Sequence, residues 1–251
     1  MGSSKPSWFS GAVDLFRQIM KTIGEEMEAA GYGEAEPVIQ ECREPSGKEE
    51  VGCADEDGYL ASVATKYDID KSTDKNKLEK GDLKEVEAII LHRTAGSTKE
   101  SALNSFKSSG IGTHFLIAKD GAVLQTASLG KYTYHIGKIR SRCQQEGNCD
   151  SKDAEAIKKI GWNPSGLHAH EQKKSYPDRY PVNSESVGIE VVGAYDSKSK
   201  SWDEPTAEQK KSIRSLVDKL KKCYHLGDGD IFEHDKISYK KEGEGAGLYG
   251  D

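Results

Sequence analysis

Residues 88–96 read Ala-Ile-Ile-Leu-His-Arg-Thr-Ala-Gly. Four apolar residues run straight into His92, and the chain then breaks at Ala95-Gly96. So short and unbroken an apolar run is the pattern of a buried central strand, apolar on both faces, in a sheet covered by helices. A histidine at the end of such a strand is held rigidly, with its imidazole at the rim of the sheet. That mounting suits a metal ligand or a proton carrier. It equally suits a histidine that only satisfies a backbone carbonyl, so the rest of the chain has to decide.

The surrounding pattern alternates strands with helices. Residues 97–108 carry Leu103 and Phe106 at helical spacing. Residues 113–118 and 122–126 flank Lys119-Asp120-Gly121, the signature of a hairpin with an Asp-Gly turn. A strand or loop follows over 132–137. Residues 138–182 are polar and interrupted by Gly and Pro, and read as an excursion from the core. Residues 187–192 form a second buried strand. Thr206-Ala-Glu-Gln after Pro205 is a capping box, and Ile213, Leu216, Val217, Leu220 and Tyr224 make the apolar face of the helix it opens. Residues 230–232 lead into Glu233-His234. The expected fold is α/β, a mixed central sheet flanked by helices over residues 85–251.

Residues 1–84 read differently. Leu15, Phe16, Ile19, Met20, Ile23 and Met27 fall at helical spacing, and Gly31 and Gly33 end the run. The remainder to about residue 84 is rich in charge, Gly and Lys. The whole is expected to be a small helical prefix that docks on the main domain or tethers it. Asp68, Asp70, Ser72, Asp74, Asn76 and Glu79 sit at the offsets of an EF-hand calcium loop, but Thr73 occupies the position that needs Gly. A solvated acidic linker is the expected reading.

A net charge of −6 argues against a nucleic-acid partner, which needs a basic face. No apolar run reaches the ~18 residues of a membrane span, and the N-terminal segment does not read as a cleavable signal peptide. The five cysteines are an odd number, so at least one is unpaired within the chain. Cys143 and Cys149 could pair in an oxidising compartment or stay free. His168-Ala-His170-Glu171 offers a conceivable second metal cluster, with solvated histidines as the plainer reading.

Five blocks in order carry a family resemblance. They are Ile-Leu-His92-Arg-Thr-Ala-Gly, Gly-Thr113-His-Phe-Leu-Ile-Ala-Lys-Asp-Gly, His135-Ile-Gly, Asn183 with Ser-Val-Gly-Ile-Glu190, and His234-Asp-Lys-Ile. Together they resemble the zinc-dependent N-acetylmuramoyl-L-alanine amidases, whose fold is shared by phage amidases, wall-recycling amidases and peptidoglycan recognition proteins. The resemblance covers roughly residues 85–250.

It implies zinc held by His92, His234 and a third ligand, which is Cys or Asp in the family. Here no Cys or Asp follows Lys240 before Asp251. Glu242 preserves the family's Lys-x-ligand spacing and is the preferred third ligand, with Glu244 and Asp251 as alternatives. The resemblance further implies Glu190 as general base, since Thr113 stands where one branch has a catalytic Tyr. Lys240, or Lys241, would stabilise the oxyanion. His135, Thr113 and Asn183 would line the substrate groove, and His114 would be structural. The substrate would be peptidoglycan or muropeptides, cut between N-acetylmuramic acid and L-alanine. A lytic antibacterial effector acting in the periplasm or wall of a target bacterium is the expected setting, with a secretion-machine or immunity-protein partner. A phage endolysin, a recycling enzyme and a non-catalytic recognition module are the alternatives.

Overall fold

The computed structural model describes residues 53–60, 62–67, 69 and 77–250. The helical pattern of residues 11–30, the calcium-like positions Asp68 to Asn76, and Asp251 lie outside them. The sheet is built around the apolar run at 88–91. Strand β3 (Ala88–Ala95) pairs in parallel with β7 (Ser186–Asp196) on one side and β9 (Ile231–Glu233) on the other. Beyond β7 lie β4 (Phe115–Ile117), parallel to it, then β5 (Val123–Gln125), antiparallel, and β1 (Thr65–Lys66) at the edge. The short strand β8 (Ser201–Trp202) folds back on the end of β7. A separate ribbon pairs β2 (Glu79–Asp82) with β6 (Lys131–Thr133).

Alternation along β3 sends its side chains to two different cores. Ile89 and Leu91 join Val187, Ile189 and Val191 of β7 beneath helix α5 (Ala207–Tyr224), whose Ile213, Leu216, Val217 and Leu220 complete that layer. Ala88 and Ile90 face the other way, against Ile136, Ile139, Tyr180 and Ile237. His92 shares the parity of Ile90, and Glu190 that of Gly188, so both belong to the face away from α5. The capping box is formed: Thr206 Oγ1 accepts from Gln209 N at 3.0 Å while Gln209 Oε1 accepts from Thr206 N at 3.0 Å. Gln209 is fully buried and donates to the Val192 carbonyl, which ties the start of α5 to β7.

Helix α1 (Lys99–Ser109) buries Leu103 and Phe106 as their spacing predicts. The β4–β5 hairpin turns at Gly121, whose φ of +80° needs a residue without Cβ strain. The polar excursion is helical in part: α2 (Arg142–Glu146), α3 (Ser151–Ile160) and α4 (Pro164–Glu171).

The expected break at residue 84 has no counterpart among the described residues. Leu60, Leu78 and Leu83 are buried, β1 and β2 pair with strands of the main body, and Cys53 is disulfide-bonded to Cys223 of α5. Short edge strands of this kind are specified by their partners, so a charged sequence with no periodicity gives no sign of them. A second disulfide joins Cys143 to Cys149.

The Cys53–Cys223 bond closes a separation of 170 residues. Replacing both cysteines with Ser should cost about 2–5 kcal/mol, seen as a fall in Tm of roughly 5–15 °C. A thermal melt unchanged by the double substitution would show that this staple contributes nothing.

Candidate metal centre and active site

Three side chains converge at the C-terminal end of β3. His92 lies in the buried part of that strand and His234 opens the short helix α6 (His234–Ile237), directly after β9. Because β9 pairs with β3, the two imidazoles come within 4.1 Å, centroid to centroid. Glu244 completes the group. Its Oε1 lies 2.7 Å from His234 Nδ1 and 3.7 Å from His92 Nδ1. One donor atom from each of the three residues lies within 4.8 Å of the others.

The loop that carries Glu244 is fixed on both sides. The Asp235 carboxylate accepts from Gly243 N at 2.9 Å and from Gly245 N at 3.0 Å, so it grips the amides flanking Glu244. Arg93 donates to the carbonyls of Gly243 and Ala246. Gly245 packs so closely that a Cβ there would sit 2.5 Å from the Leu91 carbonyl oxygen and 2.7 Å from His234 N. Only glycine permits that approach. Glu242, the ligand preferred from sequence spacing, is exposed, and its backbone carbonyl accepts from Trp202 Nε1. The geometry therefore favours the longer register, with Glu244 as third donor. The turn at Gly243, with φ of +81°, carries Glu242 outward and Glu244 inward.

Hydrogen bonds behind the two histidines set their orientation. His234 Nε2 donates to the Ile136 carbonyl at 2.8 Å, and its Nδ1 faces Glu244. His92 Nε2 lies 3.1 Å from His135 Nδ1, His135 Nε2 lies 3.3 Å from Ser186 Oγ, and Ser186 Oγ donates to the Val182 carbonyl. With His92 Nδ1 free as an acceptor, each link donates to the next and the chain ends on a carbonyl. Burial, and secondarily the adjacent His234, hold His92 neutral with a pKa of about 3. Burial alone would raise Glu244, but His234, His92 and Lys240 outweigh it and keep the carboxylate ionised. Two imidazoles and a carboxylate, oriented from behind, form a donor set that fits zinc.

Glu190 faces His92 across β3 and β7, where the two are register partners. It is 6% exposed. Burial first, then the negative charge of Glu244, push its pKa up to about 8, against the pull of Lys240. Lys240 acts electrostatically on His92, Glu190 and Glu244 alike. Lys241 instead lies 3.6 Å over the Tyr195 ring.

The three residues expected to line a groove are buried, and their polar atoms are used within the chain. Thr113 Oγ1 donates to the Phe115 carbonyl. Asn183 Oδ1 accepts from both His135 N and Ile136 N at 3.0 Å. His135 stands behind His92 rather than in front of it. His114 is structural, as expected: Nδ1 accepts from Gly188 N and Nε2 donates to the Lys131 carbonyl. The second metal cluster does not form. His168 Nδ1 accepts from Ile139 N, while His170 pairs with Asp153 and Glu171 with Lys174. Arg93, Ser186 and Asp235 lie within the blocks that carry the resemblance, but neither their type nor their spacing signals a supporting role; for Gly245 the signal is the pair of glycines that brackets Glu244.

Residues 82–245 match the family described as N-acetylmuramoyl-L-alanine amidase. No curated protein matches the chain. Among solved structures the chain is similar to a selenomethionine derivative of AmpD, at 16% identity and a TM-score of 0.48, over 77% of this chain and 93% of that one. It is similar to the N-acetylmuramoyl-L-alanine amidase LysC from Clostridium intestinale URNW, at 14% identity and a TM-score of 0.39, over 70% and 86%. It is also similar to PGRP-SA of Apis mellifera, at 11% identity and a TM-score of 0.39, over 67% and 82%.

Two predictions follow from this geometry. His92→Ala, His234→Ala and Glu244→Ala should each lose stoichiometric zinc, measured by elemental analysis after dialysis, while Glu242→Ala retains it. His135→Ala should keep the fold but weaken zinc by roughly 10–100-fold, as expected for a lost orienting partner. Retention of zinc by Glu244→Ala would return the third ligand to another residue. The second concerns pH. A carboxyl raised from 4.5 to about 8 in the folded state contributes stability fully present below pH 4.5 and lost as pH rises to about 8. The Tm of metal-free protein should carry that decline, and Glu190→Gln should remove it; parallel curves for the two proteins would refute the raised pKa.

Proposed function

Because the chain belongs to the N-acetylmuramoyl-L-alanine amidase family, we propose that it hydrolyses the amide between N-acetylmuramic acid and L-alanine in peptidoglycan, with zinc as cofactor. The observation that carries this reading is the convergence of His92, His234 and Glu244 beside Glu190. A zinc ion held by the three donors supplies a Lewis acid that lowers the pKa of a water and polarises the scissile carbonyl. Glu190 takes the proton of the attacking water and returns it to the departing L-alanine nitrogen. Burial raises its proton affinity above that of an ordinary carboxyl, which suits a group that takes up a proton and then returns it. Lys240 faces the charge that develops on the carbonyl oxygen. Buried behind these groups, His135, Ser186 and Asn183 orient rather than contact the substrate.

A recognition module that binds peptidoglycan without cutting it has no use for a buried carboxyl at Glu190, so the catalytic reading is preferred. The disulfides Cys53–Cys223 and Cys143–Cys149 favour an oxidising site of action, such as the periplasm or cell wall, over a cytosolic recycling role. No helix among the described residues is long and apolar enough to cross a membrane. A lytic enzyme delivered against a bacterial wall, as an effector, is consistent with both observations.

The test is digestion of purified peptidoglycan, with products identified by mass. Untreated protein should release free stem peptides, chelated protein should release none, and zinc should restore release. Glu190→Gln should hold zinc but lose ~10²–10⁴ in turnover, in kcat rather than KM. Full activity without metal, or cleavage at a different bond, would end the reading.

A further inference from the structure

The excursion at 138–182 borders an open surface cavity of about 490 Å³. Tyr239, the residue before Lys240, lines it. Trp162 lines it too; it is 86% exposed and meets Tyr239 edge to face at 6.3 Å between centroids. It is the one large apolar side chain so exposed among the described residues. Ile157 and Leu167 line the floor, and Cys149 brings the Cys143–Cys149 disulfide to the rim, where it restrains the loop.

The charge of this cavity runs against that of the protein. The chain carries −6 overall, yet the lining holds Arg140 and Lys158 and no acidic residue. Nearby carboxylates are already paired: Asp153 and Glu171 with Lys174, Glu155 with Lys159, Glu146 with Arg142. Arg140 is held in place without being neutralised. Its Nε donates to the Ser238 carbonyl at 2.9 Å, and its guanidinium lies 4.9 Å from the centre of the Tyr239 ring. Its terminal nitrogens have no hydrogen-bond or ion-pair partner among the described residues. By contrast, Arg93 and Arg142 use terminal nitrogens on backbone carbonyls and Arg179 pairs with Glu185. A fixed guanidinium with its outer edge open is a preorganised receptor for a carboxylate.

We infer that this cavity is a substrate subsite that binds a carboxylate of a peptidoglycan fragment, gripped by Arg140 and Lys158 beside the Trp162 and Tyr239 rings. The inference rests on the amidase reading for the identity of the substrate. Its link to the centre is Tyr239, which lines the cavity and directly precedes Lys240 in the chain. Two parts of such a substrate carry the required chemistry, the stem peptide and the lactyl carboxylate freed on the sugar by cleavage. The aromatic walls suit the apolar body attached to either.

Calorimetric titration of the full chain decides the matter, with four probes. These are a stem tetrapeptide with free carboxylates, the same peptide fully amidated, N-acetylmuramic acid, and a neutral N-acetylglucosamine oligomer. At least one carboxylate probe should bind, more weakly at high salt, and the tighter of the two identifies the source. Arg140→Gln should weaken it roughly tenfold. Lys158→Gln and Trp162→Ala, both at exposed positions that leave the fold intact, should each weaken it by about threefold or more. The inference is overturned if neither carboxylate probe binds, if the amidated peptide or neutral oligomer binds as tightly, or if the exposed-site variants leave affinity unchanged. All four probes lack the scissile bond, so binding is read without turnover. Failure of the digestion assay and failure of this subsite are therefore separate results.

Discussion

The register between β3 and β7 is the constraint on which the site depends. Pairing His92 with Glu190 on two central, parallel strands puts both side chains on the same face, away from α5. A slip of one residue would turn Glu190 into the apolar layer occupied by Ile189 and Val191. The register is protected from both sides. Ile89, Leu91, Val187, Ile189 and Val191 fill one core with α5, and Ala88 and Ile90 fill the other. A carboxyl can be buried beside imidazoles because apolar packing on two faces holds the strands that present it.

The metal donors are then assembled by contacts from behind. His234 is aimed by the Ile136 carbonyl, and His92 by a hydrogen-bonded series through His135 and Ser186. Glu244 is aimed by its own backbone, gripped at Gly243 and Gly245 by Asp235. These supports come from outside the three residues and act in addition to the 2.7 Å contact between His234 Nδ1 and Glu244 Oε1. Side chains aimed from behind in this way would need little rearrangement to take up a cation. It also explains why residues expected on a groove wall are buried: Thr113, Asn183 and His135 are close to the site because they build its foundation.

The excursion at 138–182 is joined to this centre through the backbone at Ser238. Ile139 forms a bridge with Ser238, Arg140 donates to its carbonyl, and His168 accepts from Ile139 N. The inserted helices are thus anchored next to the segment that leads to Glu244. Substrate contacts can be supplied there without altering the strands that hold the donors.

The sequence by itself determined the central strand, the helix opened by Thr206, the hairpin at Gly121 and the histidines that end up together. Each rests on local physics: apolar runs, capping chemistry, turn residues and side-chain parity. Glu190 was picked out by the family resemblance of its Gly-Ile-Glu block rather than by local physics. Only the tertiary structure decided between Glu242 and Glu244, which differ by two residues in a loop with no periodicity. The choice belongs to Asp235, to the turn at Gly243 and to the close approach of Gly245 to Leu91 and His234. Tertiary structure likewise decided that Cys53, β1 and β2 join the main body, since each finds a partner far along the chain. Such contacts leave no local trace, because their energy comes from residues that are neighbours only after folding.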